Sequence, residues 1–308
     1  MKQFFSLKQS KIKGPVCLAL GNFDGLHIGH QELINACKKY AREERIYSGV
    51  FTFSNNPADF IASDKNIQNI YPFKVKQEKF QKSGLDFAVY ETFDAAFMTM
   101  KKEEFVLRLT EAFDIRMVFV GFNYRFGDHA EGDVDDLSAL GKKYHFDVAV
   151  IPAKYDEGQL VSSSLIREQI ANGEVSMAAK LLGERYAIHG IVTKGRQLGK
   201  KLFYPTANIL LEEGIVKPKF GVYKTYTEIR GRTYLGISNI GTNPTIGQSV
   251  VKLENYIFGF DEEIYGEEMI VYLDEFVREE RKFDSFSDLK SQMNADIQQI
   301  GLEKNPKV

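Results

Sequence analysis

The sequence predicts an α/β domain built on a parallel sheet, followed by a small antiparallel β-barrel with a closing helix. Through the first half, short apolar runs alternate with helical stretches, which is the pattern of βαβ units. After about Tyr186 strand-like runs follow one another directly, divided by Gly, Pro and Asn turns. The length of 308 residues exceeds what one compact core normally uses, so two domains are expected.

Val16 to Leu20 is an unbroken apolar run, as a strand covered on both faces requires. Residues Gln31 to Arg45 have helical spacing, and strands are expected at Gly49 to Phe53, Phe87 to Tyr90, Met117 to Val120 and Val148 to Ile151. Ser163 to Gly183 reads as one helix with Gly173 in its middle. The second half offers strands at Ala187 to Val192, Gly221 to Thr227, Thr233 to Ile237, Leu253 to Phe260 and Met269 to Phe276, then an amphipathic helix from Phe286 to Ile300. The domain boundary is expected near residue 185, giving domains of residues 1–185 and 186–308.

The bulk composition is ordinary: 44% hydrophobic, 27% charged and a net charge of −2, so no basic field recruits nucleic acid. Pairs such as Lys38-Lys39 and Lys101-Lys102 sit close to glutamates and read as solvated faces. Cys17 and Cys37 lack CxxC partners and read as core residues of a protein from a reducing compartment. Residues 1–15 are polar and basic without an apolar signal core, and no run is long enough to span a bilayer. A cytoplasmic protein without membrane or nucleic-acid partners is expected.

The sharpest feature is Gly21-Asn22-Phe23-Asp24-Gly25-Leu26-His27-Ile28-Gly29-His30, between an apolar strand and a helix. Two histidines three apart can set both imidazoles beside that helix N-terminus, where backbone N–H groups and the helix dipole favour an anionic phosphate. Imidazole donors there add stabilisation to a phosphorus centre gathering negative charge. Gly25 and Gly29 permit close backbone approach. A plainer reading of a histidine at a turn is a cap or a satisfied surface group. The full string in strand–turn–helix context favours phosphate binding.

This string resembles the HxGH signature of the adenylyltransferase superfamily. From about residue 10 to 300 the chain resembles the bacterial bifunctional riboflavin kinase/FMN adenylyltransferase family, also called FAD synthetase. Gly121-Phe122-Asn123-Tyr124-Arg125-Phe126-Gly127 looks like that family's segment near the adenine nucleotide, although a strand end and turn with Arg125 as a surface charge is equally compatible. Val161-Ser162-Ser163-Ser164-Leu165-Ile166-Arg167 looks like its ATP-phosphate motif, although Ser162, Ser163 and Ser164 also suit simple N-capping. The resemblance implies a Rossmann-like nucleotidyltransferase domain that transfers AMP from ATP to FMN, giving FAD and pyrophosphate with Mg²⁺ on the phosphates. His27, His30, Ser163 and Arg167 are then the catalytic candidates, with Gly21, Asn22, Phe23, Asp24, Gly29, Gly121, Asn123, Arg125, Ser162 and Ser164 around the nucleotide. Where the family has a histidine after the second strand this chain has Asn56, an expected flavin contact.

Pro205-Thr206-Ala207-Asn208 matches the family's PTAN motif, and Ser238 to Thr245 resembles its NIGxxPT loop. The resemblance implies a riboflavin-kinase-like barrel in which Thr206 and Asn208 hold Mg²⁺–ATP and Glu254 is the base. From the residues alone, Pro205 to Asn208 reads as a Pro-initiated turn and Glu254 as a solvent-facing strand residue. Phe203 replaces a family glycine, Lys200 an arginine and Asn243 another arginine. These departures lead to the expectation of intact FMN adenylylation with weak or absent kinase activity. The alternatives are a fully bifunctional enzyme, nucleotidyl transfer to another acceptor, and a non-catalytic flavin sensor.

Overall fold

The computed structural model describes residues 1–61, 67–194, 206–245 and 248–301. By internal contacts the chain divides into two compact units, Met1–Ser163 and Ser164–Val308.

The first unit is built on six parallel strands: β1 (Lys2–Phe4), β2 (Pro15–Leu20), β3 (Tyr47–Phe53), β4 (Phe87–Glu91), β5 (Asp114–Gly121) and β6 (Asp147–Ile151). Their order is β1-β4-β3-β2-β5-β6, and every neighbouring pair is parallel. Alternate residues of β2 feed opposite layers, as the two-residue period of a strand requires. Val16, Leu18 and Leu20 join Phe105, Val106 and Leu109 of α5 (Lys102–Ala112) and Leu137 of α6 (Val134–Tyr144). Cys17 and Ala19 join Leu33, Ile34 and Cys37 of α1 (Ile28–Glu44) and Phe80 of α3 (Phe73–Lys82). The result is a sheet covered on both faces, which explains why its strands read as continuous apolar runs. Both cysteines are buried as core residues, their sulfurs 3.2 Å apart and unbridged. The short helices α2 (Ala58–Ile61) and α4 (Ala95–Met98) sit on the connections.

In the second unit the expected helix from Ser163 is two helices, α7 (Ser163–Asn172) and α8 (Val175–Leu182). Gly173 separates them with a left-handed φ of +83°, which ends α7 as glycine commonly does. β9 (Ala187–Ile191), β10 (Thr206–Leu210), β11 (Gly221–Ile229), β12 (Arg232–Thr245), β13 (Gln248–Ile257) and β14 (Glu268–Arg278) form one antiparallel sheet in the order β10-β13-β12-β11-β14-β9. Past β9, the Thr193 N–H donates to the Asn208 carbonyl at 2.8 Å and brings the first and last strands together as a near-closed barrel. Thr206 to Leu210 is thus a strand rather than a turn. Inside the barrel Asn255 bonds Thr227 at 2.7 Å and accepts from Ser238 at 3.0 Å, so its buried amide is satisfied. The closing helix α9 (Phe286–Gln299) begins at Ser285, whose hydroxyl caps the Asp288 N–H at 3.1 Å. Arg278 of β14 meets its Asp296 in a two-pronged ion pair at 2.8 and 2.7 Å.

Candidate active site

In the first unit, β3 lies on one side of β2 and β5 on the other, so the strand order reverses at β2. Open α/β sheets bind ligands at the carboxyl end of such a switch point. A cavity of about 360 Å³ opens there, lined by Gly21, Asn22, Phe23 and His30 beyond β2 and by Gly121, Asn123 and Arg125 at the end of β5. Its size falls in the roughly 300–1,000 Å³ range of small-molecule sites. Phe53, Phe93 and Phe97 supply an aromatic wall, with Phe53 edge-on to Phe93 at 5.1 Å and to Phe97 at 5.0 Å.

The chain reaches the histidines through a strained turn. Phe23, Gly25 and Leu26 all have left-handed φ, at +53°, +80° and +46°, and only one of them is glycine. Side chains hold this turn from outside. The Asn22 carbonyl accepts from Thr52 at 3.0 Å and from Lys76 at 2.6 Å. The Asp24 carboxylate accepts the Ile70 N–H at 2.9 Å, and the Asp24 carbonyl accepts the Ser163 hydroxyl at 2.8 Å. Gln31 donates to the Leu26 carbonyl at 3.0 Å.

His27 is the N-cap of α1, its Nδ1 accepting the His30 N–H at 3.3 Å. That bond leaves the proton of the neutral ring on Nε2. The two imidazoles stack with centroids 3.5 Å apart and 17° between planes. Phe23 meets His30 edge-on at 5.2 Å. Burial pushes the His27 imidazole down to about 4. His30 lies well below its ordinary value, chiefly through burial, with His27 and Lys76 adding repulsion. Both rings are therefore neutral at physiological pH and present N–H donors beside the positive end of α1.

Of the expected site residues, Gly21, Asn22, Phe23, His30, Gly121, Asn123 and Arg125 line the cavity, and His27 backs it. Arg125 also faces Asp133 at 3.8 Å. Gly29 has a packing reason: an added Cβ would stand 3.3 Å from the His27 ring. Asp24 and Ser163 serve the turn through the bonds given above. Asn56 is buried with its amide engaged by backbone, accepting from the Ala58 N–H at 3.0 Å and donating to the Ile67 carbonyl at 3.1 Å. Ser162 precedes α7 and Ser164 lies in it, where its hydroxyl accepts from Arg167 at 3.1 Å. Sequence reasoning missed the aromatic wall, which comes from separate segments, and Lys76, which no motif marks.

In the barrel, β10 and β13 pair so that Asn208 stands opposite Glu254 and Thr206 opposite Tyr256. Thr206 borders two cavities, one of about 160 Å³ with Ala207 and Tyr265, the other of about 270 Å³ with Glu254, Arg278 and the face of α9. Glu254 is ion-paired with Lys252. Asn208 is buried, and its amide nitrogen donates to the Thr206 carbonyl at 3.3 Å. Lys200, Phe203, Pro205 and the side chain of Asn243 lie outside the described residues.

A family model described as FAD synthetase matches residues 9–165, and one described as riboflavin kinase matches residues 182–301. The bifunctional riboflavin kinase/FMN adenylyltransferase of Listeria monocytogenes is 34% identical across 91% of this chain and 90% of its own length. The chain belongs to the bifunctional riboflavin kinase/FMN adenylyltransferase family. Its Bacillus subtilis relative of the same description is 30% identical, covering 92% of this chain and 90% of the relative. A solved Streptococcus pneumoniae chain described as a macrolide-efflux protein superposes with a TM-score of 0.87 at 30% identity, over 96% of this chain and 97% of that one. Among the described residues no helix is long and apolar enough to cross a membrane. As a family member the chain is a nucleotidyltransferase, an FMN adenylyltransferase, and ATP, FMN and FAD fit it as substrates and product.

Proposed function

We propose that residues 1–185 transfer AMP from ATP to FMN efficiently, and that the barrel of residues 186–308 keeps a riboflavin kinase site in weakened form. The observation that carries the first clause is the cavity at the β2 switch point, with His30 on its wall and neutral His27 stacked behind it. An FMN phosphate oxygen attacks the α-phosphorus of ATP in line, and the bond to the bridging oxygen breaks as pyrophosphate leaves. That reaction needs positioning and charge stabilisation, with no protein nucleophile. The imidazole N–H groups, the end of α1, Arg125 and Arg167 are the groups assigned to the phosphates, and Asn123 to the nucleotide.

In the barrel, the Thr206 hydroxyl and the Asn208 amide oxygen, both hard donors, would hold Mg²⁺. When bound, the ion neutralises phosphate charge. Glu254 lines the larger cavity and is assigned as acceptor of the riboflavin hydroxyl proton. The weakening rests on Phe203 and Asn243, which stand where the resemblance expects glycine and arginine. A fully bifunctional enzyme is favoured instead by the shared register of Thr206, Asn208 and Glu254 across β10 and β13.

Purified protein given Mg²⁺ and ATP, with FMN in one reaction and riboflavin in another, separates these readings by chromatography of the flavins. Rapid FAD formation from FMN with slow or no phosphorylation of riboflavin is expected. Equally rapid conversion of riboflavin removes the weakening, and no FAD from FMN by folded protein removes the first clause.

A further inference from the structure

Lys76 lies on α3, far in sequence from the histidines and outside every motif. Its side chain is half-buried and its ammonium donates to two backbone carbonyls, Asn22 at 2.6 Å and Phe53 at 3.0 Å. Phe53 is the last residue of β3, and Asn22 lies two residues past the end of β2. One cation therefore bridges the carboxyl ends of two adjacent strands, at two residues that line the cavity. The Asn22 carbonyl belongs to the peptide unit that leads into Phe23, whose left-handed φ of +53° is unfavourable for an aromatic residue. Rotation of that one peptide unit would return Phe23 to negative φ and swing the Asn22 carbonyl out of its bonds, freeing the turn whose Phe23 ring now meets His30 at 5.2 Å. One turn along the same face of α3, Phe80 packs edge-on against Phe23 at 5.6 Å. Thr52 gives the same carbonyl a second, neutral donor at 3.0 Å.

We infer that Lys76 is a positioning residue for AMP transfer: by holding the Asn22 carbonyl against β3 it keeps the Phe23 turn strained and His30 fixed at the cavity wall. The inference rests on the adenylyltransferase reading of this cavity. Burying a lysine is costly, and here it pushes the ammonium down to about 7 despite the pull of Asp24. Two charge-assisted bonds to strand-end carbonyls give that burial a structural return.

The test uses the full chain with Lys76→Met, which keeps length and removes the donors, and Lys76→Arg, which keeps a cation. FAD formation is followed while ATP and FMN are varied in turn, alongside thermal unfolding. The expected result is a kcat about 10- to 100-fold lower in Lys76→Met, the range set by losing bonds to a charged donor, with both KM values nearly unchanged and partial recovery in Lys76→Arg. A residue serving only the fold would lower the melting temperature and leave kcat per folded molecule intact. Should Lys76→Met fail to fold, Lys76→Gln, which removes the charge and shortens the donor's reach, reads the same bonds: a lower kcat at unchanged KM supports the inference, and an unchanged kcat overturns it. Unaltered protein that makes no FAD refutes the reading of the site itself; active unaltered protein matched by folded Lys76→Met refutes only the role of Lys76.

Discussion

Acid stability gives a direct physical test of the histidine pair. His27 is 7% exposed, and burial pushes its imidazole from 6.5 down to about 4. Above pH 6.5 the ring is neutral in the folded and unfolded chain alike, so it adds no pH dependence. As the pH falls from 6.5 toward 4, the unfolded chain takes up the proton first and the folded state loses stability. The difference between 6.5 and about 4 amounts to roughly 3 kcal/mol, lost in full only below pH 4. His30 acts in the same direction, for the same principal reason of burial. Urea unfolding followed by circular dichroism at intervals from pH 7.5 to 4.5 measures the loss. His27→Asn keeps an acceptor at the N-cap while removing the titrating ring, so the difference between the two curves isolates this group. The same variant assigns His27 among the chain's five histidines in a ring-nitrogen NMR titration. A midpoint well below 6 is expected, with no acid limb near 6.5 in the rate of FAD formation from these rings. A midpoint at 6.5 with parallel stability curves refutes the enclosed, neutral pair.

Two further substitutions separate chemistry from stability. Gly29→Ala places a methyl group 3.3 Å from the His27 ring near the start of a helix that favours alanine. Its stability should change by less than about 1 kcal/mol, while FAD formation drops about tenfold as the stacked rings shift; thermal melts and flavin chromatography check both. Asp296→Ala strands the Arg278 guanidinium, whose side chain is 14% exposed against 3% for Asp296. Unfolding of the barrel in urea should then come about 3–5 kcal/mol more easily, and a loss below 1 kcal/mol would show that the pair merely breaks even.

How legible each part was depends on whether its cause is local. The parallel strands could be read because both of their faces are covered, which leaves a continuous apolar signal at Val16 to Leu20. Strand β10 could not, because Pro205 to Asn208 has turn chemistry and only pairing with β13 makes it extended. The three-residue β1 is short, mixed in polarity and defined by its pairing with β4. The single helix expected from Ser163 is broken at Gly173, where the helical period continues but a left-handed glycine ends the first segment. At the candidate site the histidine string was legible because strand, turn and helix follow each other in sequence. The aromatic wall joins Phe53 at the end of β3 to Phe93 and Phe97 from a later stretch of the chain through tertiary packing, which no local pattern carries.

The turn before the histidines shows why a signature can be recognised more easily than its geometry can be derived. Local preference argues against left-handed Phe23 and Leu26, each of which costs on the order of 1 kcal/mol or more. The decapeptide by itself would relax. What prevents this comes from elsewhere: Thr52 on β3, Lys76 on α3, the Ile70 N–H and the Ser163 hydroxyl. Their bonds converge on Asn22 and Asp24, the residues flanking Phe23, so the strain is concentrated where His30 is aimed. The conformation of this turn is therefore a property of the surrounding domain more than of the ten residues themselves. Substitutions at Thr52 or Lys76 should accordingly act on catalysis at a distance from the substrates, whereas changes on the exposed face of α1 should not.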